Sequence, residues 1–361
     1  MRACVMWSLL VGLGCAGRAV TSDTPKAERI AIVASERGPN GMRLVAIDEH
    51  GDRRFEVIAP VLTGSVRDTN PAVSPDGRWL VFASTRDRSE PDMTSLWLAP
   101  VGGAEVPPVR ITRGAWIDSH PVWQPDGSAI VFASTRDGGD FDLFQLALRD
   151  GRPHGEPVQL TTSIGHEITP VVARDRAIIY AAVTPLAGTA VESRLEERSP
   201  DGTIRTLTGG PADTSPAVSP DGATIVFARP QLRGDQKAVD GELWQMPRGG
   251  ELATQLADTP LTDESGPVIS RDGRFVFATS VLRGAEGNVL FSSVVHVDLR
   301  EPKRRVRLLG DTAGAIDRLT PAIAANVLDA RALRGDPEYL PELARIMARA
   351  IARARMQQPT R

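Results

Sequence analysis

The sequence predicts an all-β fold, a six-bladed β-propeller with a split closing blade, followed by a short C-terminal helix. Two observations carry this prediction. A proline-led segment recurs at intervals of about 50 residues, which is a spacing typical of propeller repeats. Each copy is followed by runs of β-branched and aromatic residues that are separated by turn residues, as in antiparallel strands.

The recurring segment has the form Pro-Ala-Val-Ser-Pro-Asp-Gly, with variations. Its copies begin at six prolines, in chain order Pro71, Pro121, Pro170, Pro216, Pro267 and Pro321. In the Ser-Pro-Asp-Gly part, proline fixes φ at the second turn position, the Ser or Asp side chain bonds the local backbone, and glycine takes the fourth position. The segment therefore predicts a first strand that ends in a tight turn.

Three further strands are predicted after each turn. The second strand is the most apolar and falls at residues 79–83, 129–133, 177–181, 224–228 and 275–278. The third is clearest at residues 95–99, 142–146 and 242–246, and the fourth ends at residues 110–112, 159–161 and 206–208. Four antiparallel strands make one propeller blade.

The two ends of the propeller region, residues 29–325, predict how the ring closes. Residues 29–63 contain strands of the second, third and fourth kinds, without a proline-led strand before them. The copy at Pro321 supplies a first strand without the other three. Joined together, the two ends make one split blade, which hides sheet edges that would otherwise invite aggregation.

The repeat, with its Ser-Pro-Asp-Gly turn and the apolar strand after it, resembles the PD40 (WD40-like) repeat of TolB-type propellers over residues 29–325. The resemblance implies a periplasmic or surface protein that binds partners. TolB itself has an α/β domain before its propeller, whereas only a short tether separates Cys15 from Arg29 here. We therefore interpret the chain as a TolB-like lipoprotein rather than as TolB.

The N-terminal residues read as an export signal and a tether. Residues 1–14 combine the positive charge of Arg2 with an apolar run of signal-peptide length. The Val-Gly-Leu-Gly stretch before Cys15 resembles a bacterial lipobox, which implies lipidation of Cys15 and a membrane-anchored protein that faces the periplasm or the cell surface. Ordinary secretion, with cleavage a few residues later, is the alternative. Residues 15–28 are small and polar, as in a tether.

Charge and composition limit the function classes. The chain has 42 basic and 45 acidic residues, a balance that argues against a nucleic-acid binder. Both cysteines, Cys4 and Cys15, precede the propeller, which therefore has no thiol nucleophile, disulfide or cysteine metal site. The catalytic motifs GxSxG and HExxH are absent from the sequence. We therefore expect a protein that is not an enzyme.

A carboxylate precedes each repeat proline and predicts a binding site at one mouth of the channel. These candidates lie three or four residues before the proline and are Asp68, Asp118, Glu167, Asp213, Glu264 and Asp317. Because low-dielectric walls focus the potential of such a ring, it would hold a cation or the basic group of a partner. The alternative is a structural role, in which each carboxylate bonds groups of its own blade.

Two histidines extend this prediction to a weak metal-site candidate. His120 joins the channel-mouth candidates, and the possible ligands of a divalent metal are Asp118, His120, His166 and Glu167. Apart from Ca²⁺ or Zn²⁺ at the channel mouth, the sequence predicts no cofactor. Glycan-cleaving lyases with related propellers use histidine and metal in this kind of place.

Residues 336–356 predict an amphipathic C-terminal helix. Asp336 and Pro337 form a good helix start, and Leu340, Leu343 and Met347 recur at helical spacing. The helix either packs on the propeller or docks on anionic lipid or a partner groove.

The main hypothesis is a non-catalytic binding or scaffolding protein of the bacterial envelope. It recognises an envelope protein or peptide at the channel mouth and its loops, contacts the membrane through its N-terminal lipid only, and binds no nucleic acid. One alternative is a metal-dependent glycan lyase or hydrolase centred on the channel mouth. The other is a structural envelope protein that binds through its outer blade faces.

Overall fold

The structure is a computed structural model of the chain. It describes residues 30–38, 41–48, 54–58, 66–88, 90, 93–101, 106–186, 191–210, 212–232, 238–250, 252–257, 259, 262–283, 289–301, 306–308 and 318–323. The predicted signal peptide (1–14), tether (15–28) and C-terminal helix (336–356) lie outside the described residues, as does Asp317. All regular elements in the described part of the chain are β-strands, and none of its segments is a helix long and apolar enough to span a membrane.

The described strands form five hydrogen-bonded sheets. The first sheet contains β1 (Ile30–Gly38), β2 (Gly41–Asp48), β3 (Arg54–Glu56), β4 (Val66–Val73), β5 (Trp79–Ser84), β6 (Ser95–Pro100), β7 (Val109–Arg110) and β25 (Arg318–Ile323). The second contains β8 (Asp118–Trp123), β9 (Ala129–Ser134), β10 (Asp142–Arg149), β11 (Arg152–Pro153) and β12 (Val158–Gln159). The third contains β13 (His166–Val172), β14 (Ile178–Pro185), β15 (Val191–Arg198) and β16 (Ile204–Thr206). The fourth contains β17 (Thr214–Val218), β18 (Thr224–Leu232), β19 (Ala238–Pro247) and β20 (Thr254–Gln255). The fifth contains β21 (Thr262–Ile269), β22 (Phe275–Arg283), β23 (Val289–Asp298) and β24 (Val306–Leu308).

The predicted count of six blades is wrong, because the described strands make five sheets rather than six. The first sheet has the order β25-β1-β2-β4-β5-β6-β7, with β3 paired to β2. A short parallel pairing joins its two halves, with Gly41 opposite Val66 and Met42 opposite Arg67. A Cβ on Gly41 would lie 2.1 Å from the Val66 carbonyl oxygen, so this close approach requires glycine.

The predicted ring closure is confirmed by the pairing of β1 with β25. Ile32 lies opposite Ile323, and Val33 lies opposite Ala322, in an antiparallel arrangement. The last described strand of the chain therefore completes the sheet that the first strands begin. This pairing also covers the inner edge of β1.

One set of hydrogen bonds holds the Ser-Pro-Asp-Gly turn. In the Pro71 repeat, Ser74 Oγ donates to Asp76 Oδ1 at 2.5 Å and accepts from the Trp79 amide at 2.9 Å. Gly77 follows with a φ of 74°, in the left-handed region that glycine adopts at little cost. The same bonds recur in two later repeats, so the motif fixes the hairpin between first and second strands.

The hydrophobic core lies between neighbouring sheets. Four second strands place one large aromatic side chain, fully buried, at the same position of the repeat, and these are Phe82, Phe132, Tyr180 and Phe227. The fifth second strand has Ala278 at that position and buries Phe277 one residue earlier, against the first sheet. Tyr180, for example, packs with Val131 and Leu143 of the preceding sheet. Burying such a side chain contributes about 1.5–3 kcal/mol, so one aromatic contact helps to fix each of these four second strands against the strands that precede its repeat.

The turn of the Pro170 repeat departs from the common pattern. Arg176 occupies the glycine position and has a φ of 68°. The left-handed conformation costs a residue other than glycine roughly 1–2 kcal/mol. Arg176 Nη2 lies 2.7 Å from Asp126 Oδ2, but both side chains are exposed, so the pair contributes little.

We expect Arg176→Gly to stabilise the protein by about 0.5–1 kcal/mol, because relief of the backbone cost exceeds the loss of an exposed ion pair. Thermal unfolding measures this as a rise in Tm of about 1–4 °C. Gly222→Arg makes the reverse exchange in the turn of the Pro216 repeat and serves as the matched control, with a lower Tm expected. A Tm that stays the same or falls in Arg176→Gly contradicts the backbone argument.

Candidate functional site

A channel of about 580 Å³ runs between the first strands of the repeats. The strands that line it are β4, β8, β13, β17 and β21. They contribute the repeat prolines and the residues on either side of them. The channel wall is therefore built from the part of the sequence that repeats most clearly.

Each of these five strands carries a β-bulge at its repeat proline. In β4, Thr69 lies opposite Ala83 and Ala72 lies opposite Val81, so one extra residue is inserted between the two pairs. The other four strands show the same shift. Proline cannot donate a hydrogen bond to a ladder and is tolerated at edge strands and bulges, which explains why the extra residue occurs there.

The residue directly before the repeat proline has a left-handed conformation and lines the channel. We call these residues the position −1 ring, and its described members are Asn70, His120, Thr169, Ser215 and Gly266. Their φ values run from 49° to 57°. A residue other than glycine rarely adopts the left-handed conformation. Because this conformation recurs before all five repeat prolines, we infer that the bulged strand imposes it.

Next to the position −1 ring, the channel wall has an apolar layer. The residues that follow the repeat prolines are Ala72, Val122, Val171, Ala217 and Val268. Trp123 lies deeper in the wall, and its Nε1 donates to the Ala72 carbonyl oxygen of the neighbouring sheet at 3.0 Å. The channel thus offers uncharged hydrogen-bonding groups at one level and apolar contact area at the next.

His120 lies on the channel wall. Burial lowers the pKa of its imidazole to about 4, because the charged form loses hydration. Its Nδ1 lies 3.1 Å from Ser119 Oγ. His120 is therefore neutral at neutral pH and can both donate and accept a hydrogen bond in the channel.

The predicted acidic ring requires a correction, because its described members lie off the channel wall. These members, at position −3 of each repeat, are Asp68, Asp118, Glu167, Asp213 and Glu264, each at most 3% exposed. The bulge is the physical reason. Asp68 lies opposite Ser84 and Ala72 lies opposite Val81, which puts Asp68 and Ala72 on opposite faces of the sheet although they are four residues apart.

In three repeats an arginine at the end of the second strand neutralises the position −3 carboxylate. The pairs are Arg86–Asp68, Arg136–Asp118 and Arg229–Asp213, with nitrogen–oxygen distances of 2.7, 2.7 and 2.6 Å. Each guanidinium also lies over the aromatic ring of its own second strand, 5.0–5.7 Å from the ring centroid. These acids therefore hold their own blade together, which favours the structural alternative over an exposed anionic mouth.

The Pro170 repeat neutralises its position −3 acid in a different way. Burial, followed by the neighbouring Asp142 carboxyl, raises the pKa of Glu167 to about 8. Burial also raises the pKa of Asp142. Asp142 belongs to the second sheet and Glu167 to the third, so the two acids share a proton across the interface between sheets.

Glu264 of the Pro267 repeat is neutralised by burial among hydroxyl groups. Thr262 Oγ1 and Ser280 Oγ each donate to Glu264 Oε1 at 2.8 Å, and Thr259 Oγ1 donates to Oε2. Burial raises the pKa of Glu264 to about 8 despite these bonds. The carboxyl is therefore largely protonated at neutral pH and adds little charge near the channel.

The four metal candidates do not converge on one site. They are Asp118, His120, His166 and Glu167. The two acids are engaged by Arg136 and Asp142 as described above, and His166 Nδ1 accepts a hydrogen bond from the Phe141 amide at 3.1 Å. Within the described residues, no group of three or more His, Cys, Asp or Glu side chains could hold a metal ion. The predicted metal site is therefore not formed in this part of the chain.

Sequence reasoning misses the position −1 ring, apart from His120. A weak signal exists, because a polar residue or glycine precedes every repeat proline, as Thr320 does before Pro321. However, the residue before a proline is normally extended. The pattern therefore gives no indication that this residue turns into the channel.

We expect Glu167→Gln to raise the Tm at pH 8 by about 3 °C or more and to change it less at pH 5. The pKa of Glu167 rises from 4.5 to about 8 on folding, so its contribution to stability is full below pH 4.5 and is lost as the pH rises to about 8. Glutamine has no proton to lose and still donates to the Asp142 carboxylate. Thermal unfolding at the two pH values measures the difference.

The matched control is Asp118→Asn, which removes a carboxylate that pairs with Arg136. We expect this change to destabilise the protein at both pH values, by about 3–5 kcal/mol, because it leaves a largely buried guanidinium without its partner. If Glu167→Gln shifts the Tm equally at pH 5 and pH 8, the two acids do not share a proton.

Comparison with protein families supports the fold. A family model described as PD40, TolB beta propeller domain, matches residues 24–259, which is more than half of the chain. A comparison with curated protein sequences finds no match.

Solved structures show the same fold at low sequence identity. TolB from Acinetobacter baumannii is 18% identical with a TM-score of 0.63, over 83% of this chain and 68% of that chain. A putative TolB from Agrobacterium tumefaciens is 17% identical with a TM-score of 0.52, over 82% of this chain and 90% of that chain. Hydrazine synthase from Kuenenia stuttgartiensis is 12% identical with a TM-score of 0.61, over 82% of this chain and 47% of that chain. Because identity is this low, the likeness concerns the fold alone.

Proposed function

The chain belongs to the TolB β-propeller domain family, and from that membership we propose that it binds a protein partner of the bacterial envelope at its channel. The proposed protein is exported, is anchored through a lipid on Cys15, and faces the periplasm or the cell surface. Its role is binding rather than catalysis. The partner is an extended segment of another envelope protein.

The observation that carries this proposal is the composition of the channel wall. Its volume of about 580 Å³ falls in the range of natural ligand sites, roughly 300–1,000 Å³. The position −1 ring offers a histidine, an amide and hydroxyl groups, and the next layer is apolar. An extended peptide alternates backbone polar groups with side chains, so it can satisfy both layers at once.

Exposed apolar residues at one end of the third sheet are compatible with a protein partner. Ile164 is 95% exposed and lies two residues before β13, at the end of the third sheet where Glu167 is found. Leu186 and Val191, 49% and 54% exposed, flank the hairpin between β14 and β15 at the same end. These exposed apolar side chains would be available to a partner that binds at this end of the third sheet.

The surroundings of the titratable groups support a binding role over a catalytic one. The neighbour of His120 Nδ1 is the hydroxyl of Ser119, whereas a catalytic histidine is usually oriented by a carboxylate. Glu167 and Glu264, whose pKa values are raised, lie inside the sheets and off the wall that the described residues form. A substrate in the channel would therefore meet hydrogen-bonding groups without an adjacent general acid.

Blocking the channel tests the proposal. Ser265 lies on the channel wall, so Ser265→Trp should fill the channel with an indole and reduce capture of the partner from envelope extracts by about tenfold or more. Val158, 63% exposed on the outer strand β12, provides the matched control Val158→Trp, which should capture the partner like the unsubstituted protein. Quantitative mass spectrometry of the captured proteins is the measurement. Capture that survives Ser265→Trp but is lost in Val158→Trp would favour the outer blade faces and refute the proposal.

A further inference from the structure

Arg271 brings a positive charge to the far end of the channel. It occupies the second turn position of the Pro267 repeat, where the Pro71 repeat has Pro75. Both residues lie on the channel wall, at the end away from the position −3 acids. Arg271 Nη2 donates to the Pro75 carbonyl oxygen at 2.8 Å, so the side chain reaches from the fifth sheet to the first.

Arg271 differs from the arginines that neutralise the position −3 acids. In the described part of the chain, no carboxylate lies within ion-pair distance of Arg271, and its Nε and Nη1 make no hydrogen bond. The charge of Asp76 acts on it electrostatically, but that carboxylate already accepts a hydrogen bond from Arg78 Nε at 2.6 Å. Donors of the Arg271 guanidinium therefore stay available to a ligand in the channel.

The rest of the described channel wall carries no charge at neutral pH. His120 is neutral there, the other members of the position −1 ring do not ionise, and the next layer is apolar. Burial lowers the pKa of the Arg271 guanidinium, yet an arginine stays charged at any physiological pH. A partly desolvated guanidinium with open donors binds a carboxylate best, through two parallel hydrogen bonds.

We propose that the channel takes an extended, mainly apolar peptide segment whose carboxylate pairs with Arg271. This inference rests on the proposed function and names the chemistry of the partner. The carboxylate comes from the C-terminus of the segment or from an acidic side chain, and both sources present the same group to the guanidinium.

Three pools of peptides distinguish the sources. All are N-acetylated nonapeptides, randomised over Ala, Val, Leu, Pro, Ser and Thr. The first pool ends in a free carboxylate, the second ends in an amide, and the third ends in an amide but carries one central Asp. Peptides retained by the immobilised full-length protein are quantified by mass spectrometry. We expect at least one acidic pool to be retained about tenfold better than the neutral amide pool.

Substitutions at two equivalent turn positions locate the effect. Arg271→Gln should abolish the preference for the acidic pool. Arg271→Lys should keep part of this preference, because lysine retains the positive charge but lacks the planar guanidinium that forms two parallel hydrogen bonds. Arg174 occupies the same turn position in the Pro170 repeat but is not part of the channel wall. Arg174→Gln should therefore keep the full preference, and thermal unfolding shows that each variant is folded.

Equal retention of the acidic and neutral pools by the unsubstituted protein, including no retention of any, overturns the inference. So does a preference that survives Arg271→Gln. If Ser265→Trp abolishes capture of the envelope partner while Arg271→Gln leaves both measurements unchanged, the proposed function stands and this inference falls. If the acidic preference depends on Arg271 but no envelope protein is captured, the inference stands and the proposed function falls.

Discussion

The extra residue at each repeat proline is the constraint on which the site depends. It turns the position −1 residue into the channel and moves the position −3 acid to the opposite face of the sheet from the residues after the proline. The inner strands β8, β13, β17 and β21 tolerate this bulge because they are edge strands, where proline's missing hydrogen-bond donor costs little. The inner strand β4 pairs with β2 only at Val66 and Arg67, before its bulge. The same local deformation, repeated in five strands, therefore defines both the wall of the channel and the interior of the sheets.

Neutralisation of the position −3 acids follows from their burial. A carboxylate removed from water needs a positive partner or a proton. Asp68 is an example of the first solution, with Arg86, and Glu167 is an example of the second, with Asp142. Because these charges are neutralised within the sheets, the channel is left largely uncharged, and the charge of Arg271 becomes its dominant electrostatic feature.

Features that residue chemistry or the repeat signals can be predicted from the sequence, whereas contacts and strand faces without a periodic signal cannot. The turn at Ser74 and the pairing of β1 with β25 follow from residue chemistry and from the repeat itself. The contact of Gly41 with Val66, which merges two predicted blades into one sheet, has no periodic signal. The position of Asp68 is misjudged because one inserted residue reverses the face of a strand. The sequence does contain one sign that these acids pair with arginines. The triplet Ser-Thr-Arg ends at Arg86, eighteen residues after Asp68, and it ends again eighteen residues after Asp118.

Photo-cross-linking in the native host tests most directly whether the channel is the recognition surface. A benzophenone side chain placed at Val171 would lie on the channel wall, and one placed at Ile204 would lie on the exposed outer strand β16. The account predicts that the residue at 171 cross-links to an envelope protein and that the residue at 204 does not. Cross-links from position 204 with none from position 171 would contradict it.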